Sequence, residues 1–348
     1  LDTLLSDLLP RARAVTGTGD ERQIRAVKDD IFRVLYGEKI KIPEKIRLLL
    51  RLHHARLGFQ LSGNMEAPFT SLQEAQVQGR EIEKIDHGLP FKRLFNKAAL
   101  EKFPNNKGFR LTNIVYKQIE SDFFDDFLID PETDDIVVRR RPGARITIIA
   151  FSCIRHRCSG LGWSDFDASI AQNLNANLII LKDFEKRLFL KGVKSLGDFD
   201  ATISGLRAIL AEFSGTQIVA LGASGGVYAS LNIAPHLGIN RVVSLAGPAS
   251  LTIGNDVDDR QIYAQIDADI QAGHYKAVDI VDHIKSSSVS RVDYFVGGQN
   301  AFDMLQLNYL SGAGPKIHPH VYEKTGMHTI IFYALSDGSL SKALLNQI

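Results

Sequence analysis

The segment Gly222-Ala223-Ser224-Gly225-Gly226 carries the residue types and spacing best suited to covalent chemistry. A serine hydroxyl is a weak nucleophile until a neighbouring base takes its proton. A serine on a sharp turn between a strand and a helix has its hydroxyl projected outward. The residues two before and two after crowd that turn, so glycine suits positions 222 and 226. The apolar run 217–221 before it reads as a buried strand, and 227–237 after it reads as a helix. The N-terminus of that helix favours developing negative charge, and the Gly225 N–H could donate to an oxyanion.

A base and an acid must complete such a site, in the chain order serine, acid, histidine. After the expected strand 292–296 comes a loop that reaches Asp303, and after the expected strand 316–321 comes a short glycine-containing loop that reaches His328. His328 would take the Ser224 proton and return it to the leaving group, with Asp303 orienting the ring and stabilising its charged form. Asp256 or Asp258 could replace Asp303, and His318 and His320 compete with His328 from within a strand. The second oxyanion donor should come from the loop 151–156, as the N–H of Ser152 or, by preference, of Cys153.

These residues need a scaffold, and the chain changes rhythm near residue 110 to supply one. Beyond it, short β-branched runs at 145–150, 178–181, 217–221, 241–246, 292–296 and 316–321 alternate with helical patterns at 166–174, 196–213, 227–237 and 301–310. Strand–helix alternation means a mostly parallel sheet covered on both faces. Runs 127–130 and 136–139 read as a hairpin, 254–285 as a polar helical insertion, and 329–345 as one last helix. Before residue 110 the pattern is helical. Ile24, Val27, Ile31 and Val34 share one helix face, a second helix follows Pro43 and stops near Gly58, and a third covers about 71–85. His53 and His54 read as part of a half-polar helix face. The expected domains are therefore a helical region, 1–109, and a catalytic region, 110–348.

Composition narrows the function. A net charge of +1 over 348 residues gives no general attraction to nucleic acid. No apolar run has membrane-spanning length. Cys153 and Cys158 are too few for a disulfide framework and fit a reducing, cytoplasmic compartment. His156 lies between them without a second pair at zinc spacing, so no metal is expected. Trp163 reads as packing at a helix start. Arg139, Arg140, Arg141, Arg155 and Arg157 could meet an anionic donor or glycan, or form a solvated surface.

With its glycine-flanked serine and its element order, the chain resembles the α/β-hydrolase superfamily over about residues 110–348. The loops Asn300-x-x-Asp303 and Gly326-x-His328 look more like those of bacterial surface-polysaccharide O-acetyltransferases than those of the commonest esterases. That resemblance implies an acyl-serine intermediate, acetyl-CoA as a co-substrate rather than a bound cofactor, and a glycan or small acyl ester as substrate. The N-terminal helices would offer a protein-partner surface. Two other readings stand beside it. One is a non-catalytic scaffold on the same fold. The other is a nucleotide-dependent oxidoreductase, in which Gly222–Gly226 would cradle a dinucleotide; the next strand lacks the acidic residue that would hold a ribose.

Overall fold

Ile24, Val27, Ile31 and Val34 form the buried stripe of α1 (Glu21–Tyr36). With Leu50 and Leu57 of α2 (Glu44–Ser62) they build one small apolar core. The computed structural model describes residues 7–8, 10–12, 14–15, 20–36, 44–62, 67–82, 89–118, 134–253 and 260–347. It divides into two compact units, Leu1–Ile129 and Asp130–Ile348.

In the first unit α2 runs through Gly58 to Ser62, beyond the stop expected from the glycine. A Cβ at Gly58 would meet only the Lys28 side chain, at 3.4 Å, so the helix continues there without a clash. His53 of the expected half-polar face is fully buried. Three further helices follow: α3 (Leu72–Ile82), α4 (Leu89–Lys102) and α5 (Lys107–Gln118). Ser71 caps α3, and Glu74 reaches back to the Thr70 N–H at 2.5 Å, a reciprocal cap that fixes the helix start. Phe91, Phe95, Ala99 and Phe109 from α4 and α5 form a second small core with Leu52 and Phe69. The boundary expected at residue 109 falls inside α5, whose residues belong with the helical unit.

The second unit is a seven-stranded sheet in the order β1-β3-β2-β4-β5-β6-β7. Its strands are β1 (Ile136–Arg139), β2 (Ile146–Phe151), β3 (Ala176–Leu181), β4 (Gln217–Ala223), β5 (Arg241–Leu245), β6 (Arg291–Gly297) and β7 (Ile317–Tyr322). β1 pairs antiparallel with β3, and every other neighbour is parallel. β2 and β3 are buried at every position, as expected of parallel strands covered on both faces. The first arm of the expected hairpin, 127–130, lies outside the described residues.

The connecting helices are α6 (Trp163–Phe166, prolonged by a π-turn over Asp167–Ala171), α7 (Phe199–Ala211), α8 (Gly225–His236), α9 (Arg260–Gln271), α10 (Ile280–Lys285) and α11 (Ala301–Leu310). Trp163 is buried, rests on Phe166 and donates its ring N–H to the His156 carbonyl at 2.8 Å. The expected final helix is two, α12 (Ile331–Ser336) and α13 (Ser339–Leu345). Gly338, at φ 74°, breaks the run, because an αL residue cannot continue a right-handed helix.

Candidate active site

Ser224 lies between the end of β4 and the first residue of α8, with φ 50° and ψ −121°. A non-glycine residue held in such a conformation costs about 1–3 kcal/mol, which the surroundings must offset. The Ser224 N–H donates to the Leu245 carbonyl at 3.0 Å, and the Val227 N–H donates to the Ser224 carbonyl at 2.8 Å. Glycines give the turn its room. A Cβ at Gly222 would lie 2.3 Å from Ser230 Oγ, and one at Gly226 would lie 2.1 Å from the Phe151 carbonyl oxygen. Gly247, which the sequence reading did not single out, has the same role. A Cβ there would lie 2.1 Å from the Ser224 carbonyl oxygen, and Ala246 before it adopts φ 41°.

The structure brings Ser224, His328 and Asp303 together. His328 Nε2 is 2.8 Å from Ser224 Oγ, and its Nδ1 is 2.9 and 3.0 Å from the two carboxylate oxygens of Asp303. Asp303 is fully buried, while the His328 side chain is 37% exposed, so the ring is open to a ligand on one side. This pattern assigns the Nδ1 proton to the Asp303 side and leaves Nε2 to accept from the serine hydroxyl. Asp303 sits in the first turn of α11, where the helix dipole favours its charge.

Two loops are clamped to hold this pair. Asn300 caps α11 by accepting from the Asp303 N–H at 3.0 Å, and its side-chain amide donates to the Gly326 carbonyl at 3.3 Å. The Gln299 N–H donates to the Thr325 carbonyl at 3.0 Å, so the acid loop and the histidine loop are laced backbone to backbone. Gln306, one turn beyond Asp303, accepts from the N–H groups of Ala249 and Ser250 at 2.8 and 2.9 Å and so fixes the segment after β5. Buried Tyr294 donates to the Gly247 carbonyl at 2.5 Å; burial, and next the Asp303 charge, push its hydroxyl pKa far above the ordinary value, so it stays a neutral donor.

The oxyanion assignment requires a correction. Gly225 opens α8, where its N–H has no intrahelical acceptor. The Cys153 N–H, however, donates to the Arg157 carbonyl at 2.8 Å, and the Ser152 N–H donates to the Leu181 carbonyl at 3.0 Å. Neither is available to a ligand. The next residue is. Ile154 N lies 3.7 Å from where a Gly225 Cβ would stand, and among the described residues its N–H has no acceptor. Ile154 Cγ2 and Leu188 Cδ2 flank the same point at 3.1 and 2.9 Å. Leu188 belongs to a loop in which Lys186, Leu188 and Phe189 all have positive φ. The Asp183 carboxylate holds that loop by accepting from the N–H groups of Glu185, Arg187 and Phe189.

The remaining candidates fall elsewhere. Asp256 and Asp258 lie outside the described residues. His320 is bonded to Asp293 on β6, not to the serine. Cys153 and Cys158 are free thiols, both buried. Arg140 pairs with Glu212, and buried Arg141 pairs with Asp167 at 2.6 Å, so neither is a free anion ligand. Gly222–Gly226 forms a tight elbow that presents a side chain, not a cradle of N–H groups for a dinucleotide.

The strand order, the antiparallel edge strand β1 and the turn after β4 define an α/β-hydrolase-type architecture preceded by helices. No family model matches the sequence, and no curated protein does either. Solved structures do align. A capsule O-acetyltransferase of Neisseria meningitidis serogroup A is 14% identical, with 61% of this chain and 90% of that chain covered and a TM-score of 0.45. A carboxylesterase structure from Nitrososphaera gargenis is 14% identical, covering 64% of this chain and 100% of its own, with a TM-score of 0.41. A lipase-esterase related protein from Clostridium acetobutylicum is 15% identical, covering 61% and 98%, with a TM-score of 0.40. Among the described residues no helix is long and apolar enough to cross a membrane.

Proposed function

We propose that this chain is a serine-nucleophile acyl-transfer enzyme, a carboxylester hydrolase or an O-acetyltransferase, with Ser224, His328 and Asp303 as its catalytic residues. The observation that carries the reading is that one imidazole bonds Ser224 Oγ at 2.8 Å and Asp303 at 2.9 Å through opposite nitrogens. Ser224 Oγ attacks the acyl carbonyl as its proton passes to His328 Nε2. The carbonyl oxygen gains the electron pair and accepts hydrogen bonds from the Gly225 and Ile154 N–H groups. Collapse breaks the bond to the leaving group, which takes the proton from His328. An acyl-serine remains, and water or a sugar hydroxyl, deprotonated by His328, releases it. Asp303 holds the ring tautomer and stabilises the transient imidazolium. A scaffold would have no use for a strained serine facing a half-exposed histidine backed by a buried aspartate, which favours catalysis.

The acyl group we propose is acetyl, given by a simple ester or by acetyl-CoA, with a glycan hydroxyl as acceptor in the transferase. The resemblance of the Asn300–Asp303 and Gly326–His328 loops supports that choice. The free thiols of Cys153 and Cys158 support a reducing, cytoplasmic compartment. The exposed rings of Phe32 and Tyr36 on α1 support a protein partner for the helical unit.

The test is labelling by a serine-reactive fluorophosphonate. Wild type should label and Ser224→Ala should not; equal labelling of both would end the proposal. Acetyl release to water from a simple ester, compared with acetyl transfer from acetyl-CoA to a glycan hydroxyl, then separates esterase from transferase. Ile154→Pro, which deletes one oxyanion N–H, should lower turnover by about 100-fold while circular dichroism stays unchanged.

A further inference from the structure

A cavity of about 870 Å³ lies in the sheet-bearing unit, and Ser224, Asp303 and His328 are not in its walls. The loop after β3, the start of α7, the far end of α8 and residues 274–276 and 278 line it, leaving one side open to solvent. Asn232 of α8 is one of its wall residues, only 3% exposed, and its Oδ1 has no hydrogen-bond partner. The backbone carbonyl of the same residue is engaged by His283 Nε2 at 3.0 Å, so the helix is fixed there while the carboxamide is not. A buried carbonyl oxygen without a donor carries the full cost of its desolvation, and a ligand hydroxyl or N–H would relieve it.

The other walls narrow the ligand. Phe199 and His236 meet edge to face, with ring centroids 5.6 Å apart, and Tyr275 and Phe184 add half-buried rings. Burial, then the neighbouring His283 and Arg207, lower the His236 pKa, so its ring is uncharged at neutral pH. Most charges in the walls are already satisfied. Glu185 pairs with Lys191 at 3.2 Å, Asp198 caps α7, and Asp183 holds its own loop. Asp200, Lys194 and Lys276 remain, and over the whole wall four carboxylates stand against three lysines. An anionic nucleotide such as coenzyme A would meet carboxylates as well as lysines there. A neutral polyol meets no such conflict. Each hydroxyl both donates and accepts, so it can serve Asn232 Oδ1 and a lysine at once. The C–H faces of a pyranose can pack on aromatic rings.

We infer that this cavity is a binding site for a neutral saccharide, separate from the serine centre. The inference stands on the cavity alone and does not depend on acyl chemistry at Ser224.

Saturation-transfer NMR on the full chain tests it, with maltohexaose, cellopentaose, chitohexaose and xylohexaose each at about 10 mM, a concentration suited to millimolar affinity. At least one sugar should bind. Asn232→Leu should weaken that binding about tenfold, the loss expected for one buried hydrogen bond. Asp200→Ala, at an exposed position that folding does not need, should weaken it roughly threefold. Ser224→Ala should leave it unchanged, so failure here and failure of the acyl-transfer reading are separate results. The inference is overturned if no sugar of the panel binds, if both cavity variants bind as wild type does, or if coenzyme A displaces the sugar.

Discussion

Two of the carboxylate–imidazole pairs in the sheet-bearing unit have bonds of equal length. Asp293 on β6 meets His320 on β7 at 2.9 Å, and Asp303 on α11 meets His328 at 2.9 Å. Both carboxylates are buried. The difference lies in what else each pair touches. Arg291 clamps Asp293 with two hydrogen bonds of 2.8 Å, and the His320 ring lies flat on Phe295 at 4.2 Å. Asp303 makes no ion pair with lysine or arginine among the described residues, and the far nitrogen of His328 meets a hydroxyl. A pair closed by a guanidinium and a stacked ring ties two strands together. A pair whose Nε2 meets a hydroxyl can pass a proton.

Paired substitutions sharpen that contrast. Asp303→Asn should lower acetyl-ester turnover by about 1,000- to 10,000-fold, through loss of the correct tautomer and of imidazolium stabilisation. Asp293→Asn should change it by less than about threefold, because the pair does not reach Ser224. Equal losses of turnover in well-folded variants would erase the distinction. Stability should run the other way. Asp293→Asn leaves Arg291 without its buried partner and should cost about 3 kcal/mol in urea unfolding, against a smaller loss for Asp303→Asn.

The smallest effect is the pH dependence of that stability gap. Burial works to raise the Asp293 pKa, but the bonds from His320 and Arg291 outweigh it and hold the carboxyl below the ordinary range. A carboxyl depressed in the folded state contributes stability above its unfolded value, near 4, and loses that contribution as pH falls through the folded value. The gap between wild type and Asp293→Asn should therefore be full at neutral pH and close below about pH 4. A gap that widens in acid would show that another group controls it.

Sequence alone reached the sheet and the three facing side chains because both depend on spacing. Buried strands read as apolar runs, and the elbow needs small residues at 222 and 226 whatever lies around it. What it missed depends on backbone geometry. The letters of the loop 151–157 do not reveal that the Cys153 N–H is spent on Arg157 and that the next N–H is open. Gly58 and Gly338 are the same letter, yet one continues a helix and the other breaks it, because only the second takes a positive φ. Gly247 gave no signal, since its constraint is the Ser224 carbonyl, a neighbour across the sheet. The helix α4 could have been found from Phe91, Phe95 and Ala99, which recur at four-residue steps.

The bond between Ser224 and His328 joins positions 104 residues apart, and β5, β6 and β7 all intervene between them. Contacts that close so long a stretch of chain form late, after local helices and hairpins. On the proposed reading, reactivity at Ser224 is therefore a clock on assembly. A refolding chain regains its helical signal first and becomes reactive only when the last strand has docked. On the proposed reading, a chain whose last strand has not docked holds Ser224 without its histidine, and a half-made copy is silent.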